Sequence, residues 1–206
     1  MIISFITWAI IAYLLGSLMP GFWIGKLIYK KDIRTSGSGN IGTTNAFRTL
    51  GVVPGTITML LDIFKGFLAV YLPMTFAGSL NNYVLYIGLF AVVGHVYSIF
   101  LKFHGGKAVA TSFGVIFAFN PSFAGLLIIS IVSLIFLTSM VSVASMGTFT
   151  FGTIMAIFYY KESQLIVFAL ISTAVAFYAH RKNFKRIITN TETMVPFGIK
   201  YWLSKK

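Results

Sequence analysis

The chain contains no cysteine. Disulfide frameworks, zinc–thiolate centres and thiol nucleophiles are therefore excluded. Acid is scarce: four Asp and Glu stand against sixteen Lys and Arg, for a formal net charge of +12. Asp32, Asp62, Glu162 and Glu192 are far apart in sequence, so neither a carboxylate metal site nor a paired-carboxylate mechanism is easily built from them. Charge of either sign is also sparse, at 10% of residues where a soluble domain carries about 25%. An ordinary water-facing surface is thus excluded. With 57% hydrophobic residues, most of the surface faces lipid. In that background the positive excess points to anionic lipids and anionic small molecules rather than nucleic acid.

A membrane-spanning helix needs roughly 20 apolar residues. Five segments qualify directly: about 2–28, 52–76, 80–101, 141–160 and 162–180. The run from Ile2 lacks a basic leader and is long enough to span, so it reads as a retained helix rather than a cleaved signal. The stretch 108–138 would be about 46 Å long as one helix, too long for a ~30 Å core. Asn120-Pro121 interrupts it, and splitting there gives a short helix 108–119 and a full one 121–138. Charge favours the split. With seven spans and the N-terminus outside, the inner segments hold 14 Lys and Arg, the outer ones only Lys161, and Lys65 sits within a helix. The expectation is an all-α integral membrane protein with seven helices, one of them short. Its C-terminus is cytoplasmic, and residues 1–206 make one domain without internal repeats. The basic tail from 181, with Tyr201 and Trp202 among lysines, reads as an interfacial anchor.

The loop after the first span reads Thr35-Ser36-Gly37-Ser38-Gly39-Asn40-Ile41-Gly42-Thr43-Thr44-Asn45, with Arg48 following. Three glycines within six residues let backbone N–H groups converge as an anion nest, and Ser, Thr and Asn add short neutral donors. Arg48 adds a planar cation suited to phosphate. Gly37, Gly39 and Gly42 also match G-x-G-x-x-G, but that nucleotide pattern requires a preceding strand, and a basic loop precedes it here. The plainer alternative is a flexible polar loop.

The next inner loop, Lys102-Phe103-His104-Gly105-Gly106-Lys107, runs straight into a helix. A cation at a helix N-terminus opposes the dipole unless an anion also binds there. The alternative is a topogenic Lys beside a tight turn. The last span ends in His180-Arg181-Lys182-Asn183-Phe184-Lys185-Arg186. His180 and Asn183, three apart, share a helix face and are expected to point inward, whereas the cations suit anionic headgroups. His95 lies within an apolar run, where a ligand role and a hydrogen bond to a neighbouring helix are both open. Asp62 and Lys65, also three apart, are expected to neutralise each other inside the bundle. No His is followed by Asp at the H-x-x-x-x-D spacing of many glycerolipid acyltransferases. No general base is evident, which suits an activated substrate whose leaving group is an anion.

Together these motifs resemble the bacterial acyl-phosphate:glycerol-3-phosphate acyltransferase family (PlsY). The resemblance runs through Gly16-Ser17, Ser36 to Arg48, Leu61 to Gly66, Gly94-His95, Phe100 to Lys107, Val141-Ser142, and His180, Asn183, Arg186 and Glu192. Two positions depart from it, Ala108 and Asn190, where the family usually has Gly. The resemblance implies an enzyme of the bacterial inner membrane with its site on the cytoplasmic side. It would transfer a fatty acyl group from acyl phosphate to the 1-hydroxyl of glycerol 3-phosphate, giving lysophosphatidate and phosphate. No cofactor or metal is implied, and functional coupling to a peripheral acyl-phosphate synthase is. Ser38, Asn40, Arg48, Lys107, His180 and Asn183 are the candidate catalytic residues. Ser36, Gly37, Gly39, Gly42, Thr43, Asn45, Gly105, Gly106, Ser142 and Glu192 are the candidate substrate-binding residues.

Both substrates carry a phosphate, so two anion cradles are useful. The neutral donors of Ser36 to Asn45 suit a mixed anhydride whose charge shifts during reaction. Gly105, Gly106 and Lys107, with Arg48, Ser142, His180 and Asn183, suit the fixed dianion of glycerol 3-phosphate. A phosphate-ester transporter would also want cationic loops and a broken helix, but it needs access from both faces. A lipid-binding scaffold would need lysines but not glycine loops. The charge distribution makes a direct prediction: a reporter fused after Lys206 is cytoplasmic and one inserted near Asn81 is external. The opposite labelling overturns the orientation.

Overall fold

The computed structural model describes residues 1–205. It is all-α, with no strand among the described residues. The chain divides into two compact units, Met1–Pro121 and the remainder from Ser122.

In the first unit, α1 (Ile2–Ser17) ends at Leu18, and α2 (Pro20–Trp23) follows. The sequence suggested one helix over 2–28. Pro20 breaks it, because the residue before a proline is pushed from helical to extended backbone, and Met19 takes φ −115°, ψ 81°. A π-helical turn, Ile24–Ile28, ends the segment. The loop that follows is not wholly irregular, as expected, but contains α3 (Thr43–Leu50). Next come α4 (Val52–Phe76), α5 (Val84–Val96) and α6 (Val109–Phe119).

Helices in this unit approach closely through small residues, as membrane helices do when dispersion rather than the hydrophobic effect drives their contact. A Cβ on Gly16 of α1 would overlap the Ala91 carbonyl of α5, and one on Gly66 of α4 would overlap the Thr111 carbonyl of α6. The interior is unusually polar: Ser17, Thr58, Asp62, Lys65, His95, Ser98, Thr111 and Ser112 are all buried.

The second unit takes up α7 (Pro121–Thr138) from Ser122 and holds α8 (Val141–Met155), α9 (Ser163–Ala179), α10 (Arg181–Ile188) and α11 (Ile199–Leu203). The break at Asn120-Pro121 is present, with Asn120 extended and α6 left at 11 residues. Threonine hydroxyls join α8 to α9, with Thr153 Oγ1 2.8 Å from Thr173 Oγ1. The last span stops at Ala179, and α10 turns away from α9 by 59°. The tail returns to Ser139, whose carbonyl accepts Val195 N–H at 2.8 Å and whose hydroxyl accepts Tyr201 N–H at 3.0 Å.

Five stretches are long and apolar enough to cross a membrane: Ile2–Ile28, Val52–Phe76, Gly78–Leu101, Pro121–Thr138 and Val141–Tyr160. Counting the bent α9–α10 pair as one span makes six, with Val109–Phe119 as a shorter apolar helix. Exposed Leu, Ile, Val and Phe side chains line these helices, as a lipid-facing surface requires.

Candidate active site

The first glycine loop is built by asparagines. Gly37 (φ 61°) and Gly39 (φ 69°) take left-handed backbone, which glycine adopts with little strain. Between them the chain reverses, and Gly39 N–H donates to the Ser36 carbonyl at 3.1 Å. Asn45, buried on α3, closes the loop from inside. Its Oδ1 accepts Ser38 N–H at 2.8 Å, and its Nδ2 donates to the carbonyls of Ile33 at 2.7 Å and Ser36 at 3.1 Å. Asn40 Oδ1 accepts Gly42 N–H at 2.9 Å. The carboxamides of Asn45 and Asn40 are thus used largely within the loop, and they set its shape.

Gly42 is the N-cap of α3. The N–H groups of Thr43 and Thr44, in the first turn, have no carbonyl partner inside the helix, so this end is electropositive. Thr43 turns its hydroxyl elsewhere, donating to Asp62 Oδ2 at 3.2 Å. Arg48 lies one turn beyond Thr44 on the same helix face. Upstream, Arg34 donates to Asp32 from its backbone N–H at 2.9 Å and from its guanidinium at 2.6 Å. That side-chain hydrogen bond holds the Asp32 carboxyl below its ordinary range.

The second loop sits on His95. Gly106 N–H donates to the His95 carbonyl at 2.9 Å. A Cβ on Gly105 would overlap that carbonyl oxygen, and one on Gly106 would overlap the imidazole at Nε2. Both positions therefore require glycine. Lys102 (φ 53°), Phe103 (φ 60°) and Ala108 (φ 56°) are left-handed without being glycine. Ala108 is the N-cap of α6, which places Lys107 just ahead of that helix's first N–H groups. The two departures from the resemblance now have a common geometry. Ala108 and Asn190 (φ 55°) occupy left-handed backbone, which explains a preference for glycine at both. Asn tolerates that region; Ala bears about 1–2 kcal/mol of strain there.

His95 and its neighbours form a buried polar group. Its Nδ1 lies 2.9 Å from Thr111 Oγ1 and 3.6 Å from Asp62 Oδ1. Asp62 pairs with Lys65 at 2.9 Å, the mutual neutralisation expected from their spacing, and Lys65 also donates to the Leu18 carbonyl. Local spacing alone assigns Asp62 and His95 no part in the loops. The available signal was ionisable groups inside membrane helices, which are rarely idle.

In the second unit, Glu192 gathers three partners. Its Oε1 accepts from Ser142 Oγ at 2.8 Å and Asn183 Nδ2 at 2.7 Å, and its Oε2 accepts from Arg186 Nε at 2.7 Å. Burial pushes the Glu192 carboxyl up, but hydrogen bonds from Arg186, Asn183 and Ser142 outweigh it and hold the group below its ordinary value. His180 and Asn183 are buried, as expected of the pair, although the helix breaks at His180 rather than running through it. His180 Nδ1 lies 2.8 Å from the Ala176 carbonyl. A carbonyl only accepts, so Nδ1 carries a proton there. Arg186, absent from the sequence-derived site, joins this cluster. Among the described residues, no three His, Asp or Glu side chains come together as a metal site would need.

A protein family described as glycerol-3-phosphate acyltransferase matches residues 6–190. This chain belongs to that family. A glycerol-3-phosphate acyltransferase of Limosilactobacillus reuteri is 51% identical over 199 residues, covering 96% of this chain and 94% of the relative. One from Lactiplantibacillus plantarum is 48% identical, covering 92% and 91%. Among solved structures, PlsY, an integral membrane glycerol 3-phosphate acyltransferase in its glycerol 3-phosphate form, superposes with a TM-score of 0.88. It is 34% identical, over 93% of this chain and 96% of that one. The lysophosphatidic acid form of PlsY gives 0.85 at the same identity. With the apolar helices above, this makes the chain an integral membrane protein.

The Glu192 cluster yields a pH prediction. A carboxyl held below its unfolded value contributes stability that is fully present above that value and lost as pH falls through the lower, folded one. Glu192→Gln is expected to reduce unfolding free energy at pH 7 by about 1–3 kcal/mol. It is also expected to flatten the decline in thermal midpoint between roughly pH 5 and pH 3. Thermal unfolding in detergent across that range checks both. A variant as acid-sensitive as the native protein contradicts the assignment.

Proposed function

We propose that this protein transfers a fatty acyl group from acyl phosphate to the 1-hydroxyl of glycerol 3-phosphate. The hydroxyl oxygen attacks the acyl carbonyl carbon, and the bond from that carbon to the bridging phosphate oxygen breaks. The hydroxyl proton passes to the departing phosphate. The products are 1-acylglycerol 3-phosphate and inorganic phosphate, and no acyl-enzyme forms.

One observation carries the reading. Two glycine-built loops end at helix N-termini, each with a nearby cation, Arg48 or Lys107, and neither loop presents a carboxylate or thiol. Such an arrangement suits phosphates, and the first loop offers no nucleophile stronger than a hydroxyl. An acyl phosphate needs none, since it is already a mixed anhydride. Orientation and charge stabilisation then remain as the protein's contribution.

In this reading the loop from Ser36 to Asn45 cradles acyl phosphate. Ser38, with the N–H groups of Thr43 and Thr44, follows charge onto the leaving phosphate; Asn40 and Asn45 keep Gly37, Gly39 and Gly42 in shape. Gly105, Gly106 and Lys107 bind glycerol 3-phosphate, assisted by Arg48. His180, Asn183 and Ser142, the latter two oriented by Glu192, are assigned a part in binding glycerol 3-phosphate from the family resemblance. The acyl chain and the surrounding membrane lipids meet the exposed apolar helices. Residues 1–206 work as one acyltransferase domain of seven helices with the N-terminus outside. The loops accordingly face the cytoplasm from the bacterial inner membrane, where a peripheral synthase supplies acyl phosphate. Neither a metal nor another cofactor takes part, and nucleic acid is no partner.

Purified protein given acyl phosphate and glycerol 3-phosphate is expected to release phosphate at an undiminished rate in chelator, and to be inactive with acyl-CoA. Lys107→Ala raises the KM for glycerol 3-phosphate about tenfold or more while largely sparing the KM for acyl phosphate. Ser38→Ala lowers kcat by about 10–100-fold. Robust acyl-CoA turnover or a strict Mg²⁺ requirement refutes the donor. A Lys107→Ala effect confined to acyl phosphate reverses the two loops.

A further inference from the structure

Asp62, Lys65 and His95 are each no more than 4% exposed, and they are the ionisable members of the first unit's buried polar interior. An ion pair in that setting does little for stability, because desolvation offsets most of its Coulomb attraction. What the group touches suggests another use. Asp62 Oδ2 accepts the hydroxyl of Thr43, the first residue of α3, where the first glycine loop ends. Its Oδ1 lies 2.9 Å from Lys65 Nζ and 3.6 Å from His95 Nδ1. His95 in turn supports the second glycine loop, through its carbonyl at Gly106 N–H and through the imidazole beneath Gly106. Thr111 of α6, the helix that the second loop feeds, lies 2.9 Å from His95 Nδ1. Lys65 donates to the Leu18 carbonyl at the end of α1, and Ser98 donates to the adjoining Ser17 carbonyl at 2.6 Å.

One carboxylate therefore reaches both supports: its Oδ2 accepts from Thr43 of the first loop, and its Oδ1, held by Lys65, lies beside the His95 imidazole on which Gly106 packs. We infer that Asp62, with Lys65 and His95, is a positioning device that couples the two glycine loops, so that displacing one shifts the other. The substrate consequences rest on the acyl transfer proposed above; the mechanical coupling does not. By reciprocity, a change at Thr43 is felt at Gly105 and Gly106, and a change at His95 is felt at Ser36 to Asn45. The group touches no reacting atom, so its effect on turnover acts through placement. Misplacement of about 1 Å at a phosphate is worth roughly 100-fold in rate.

Hydrogen exchange read by mass spectrometry tests the coupling on the full chain in detergent, without substrate. Thr43→Val removes only the hydroxyl that reaches Asp62. It is expected to raise exchange in peptides covering 102–112 as well as 36–48. His95→Gln is expected to do the same in the opposite direction. In an Asp62→Asn/Lys65→Met background, which avoids stranding a buried cation, Thr43→Val no longer alters 102–112. Thr43→Val should also raise the KM for glycerol 3-phosphate about tenfold, which a purely local effect on the first loop would not. If Thr43→Val leaves exchange at 102–112 at the native level, the coupling is overturned. That single variant decides the matter should the double-substituted background not fold. Absence of wild-type turnover would count against the proposed reaction, while the exchange data would still decide the coupling.

Discussion

The first unit is arranged around one buried ion pair. Lys65 closes the carbonyl left open where Pro20 breaks the first span, and its charge requires Asp62 nearby. Asp62 then has a second oxygen to satisfy, which Thr43 does from the start of α3. Removing either partner alone would leave an uncompensated charge buried away from water, at about 3–5 kcal/mol. The polar interior is thus a set of mutual obligations: a broken helix needs a cation, the cation needs a carboxylate, and the carboxylate ties down a loop. Glycines permit the close approach that lets these contacts form, as where the Gly66 face of α4 meets the Thr111 carbonyl.

The proposed chemistry is consistent with that economy. The first loop is built from backbone, short hydroxyls and carboxamides whose own hydrogen bonds are largely internal. Such donors are pre-organised, so little reorganisation is needed when charge moves onto phosphate. In the second unit, Glu192 plays the comparable structural part, holding Ser142, Asn183 and Arg186 around one carboxyl.

Much of this was legible in the sequence because its signals are local. Apolar run length marked the spans, Asn120-Pro121 marked the break before α7, and the spacing of Asp62 and Lys65 marked their pairing. Other features were not legible, for identifiable reasons. Thr43–Leu50 is a short helix with strong glycine punctuation on both sides, so it reads as loop. The turn at His180 has neither proline nor glycine to announce it. Glu192 finds Ser142 across 50 residues, and His95 finds Thr111 across 16, so neither pairing follows from local spacing. The left-handed conformations of Lys102 and Phe103 close the 3-10 turn Ile99–Leu101, where Phe103 N–H donates to the Ser98 carbonyl at 2.8 Å, against the residues' own preference.

The central claim is that the protein positions two phosphates and contributes no nucleophile. Rapid mixing of the purified protein with acyl phosphate alone tests it most directly. The account predicts no stoichiometric burst of inorganic phosphate and no acyl-mass adduct on the protein, with release beginning only when glycerol 3-phosphate is added. A burst matching the enzyme concentration, accompanied by a covalently acylated chain, would contradict it.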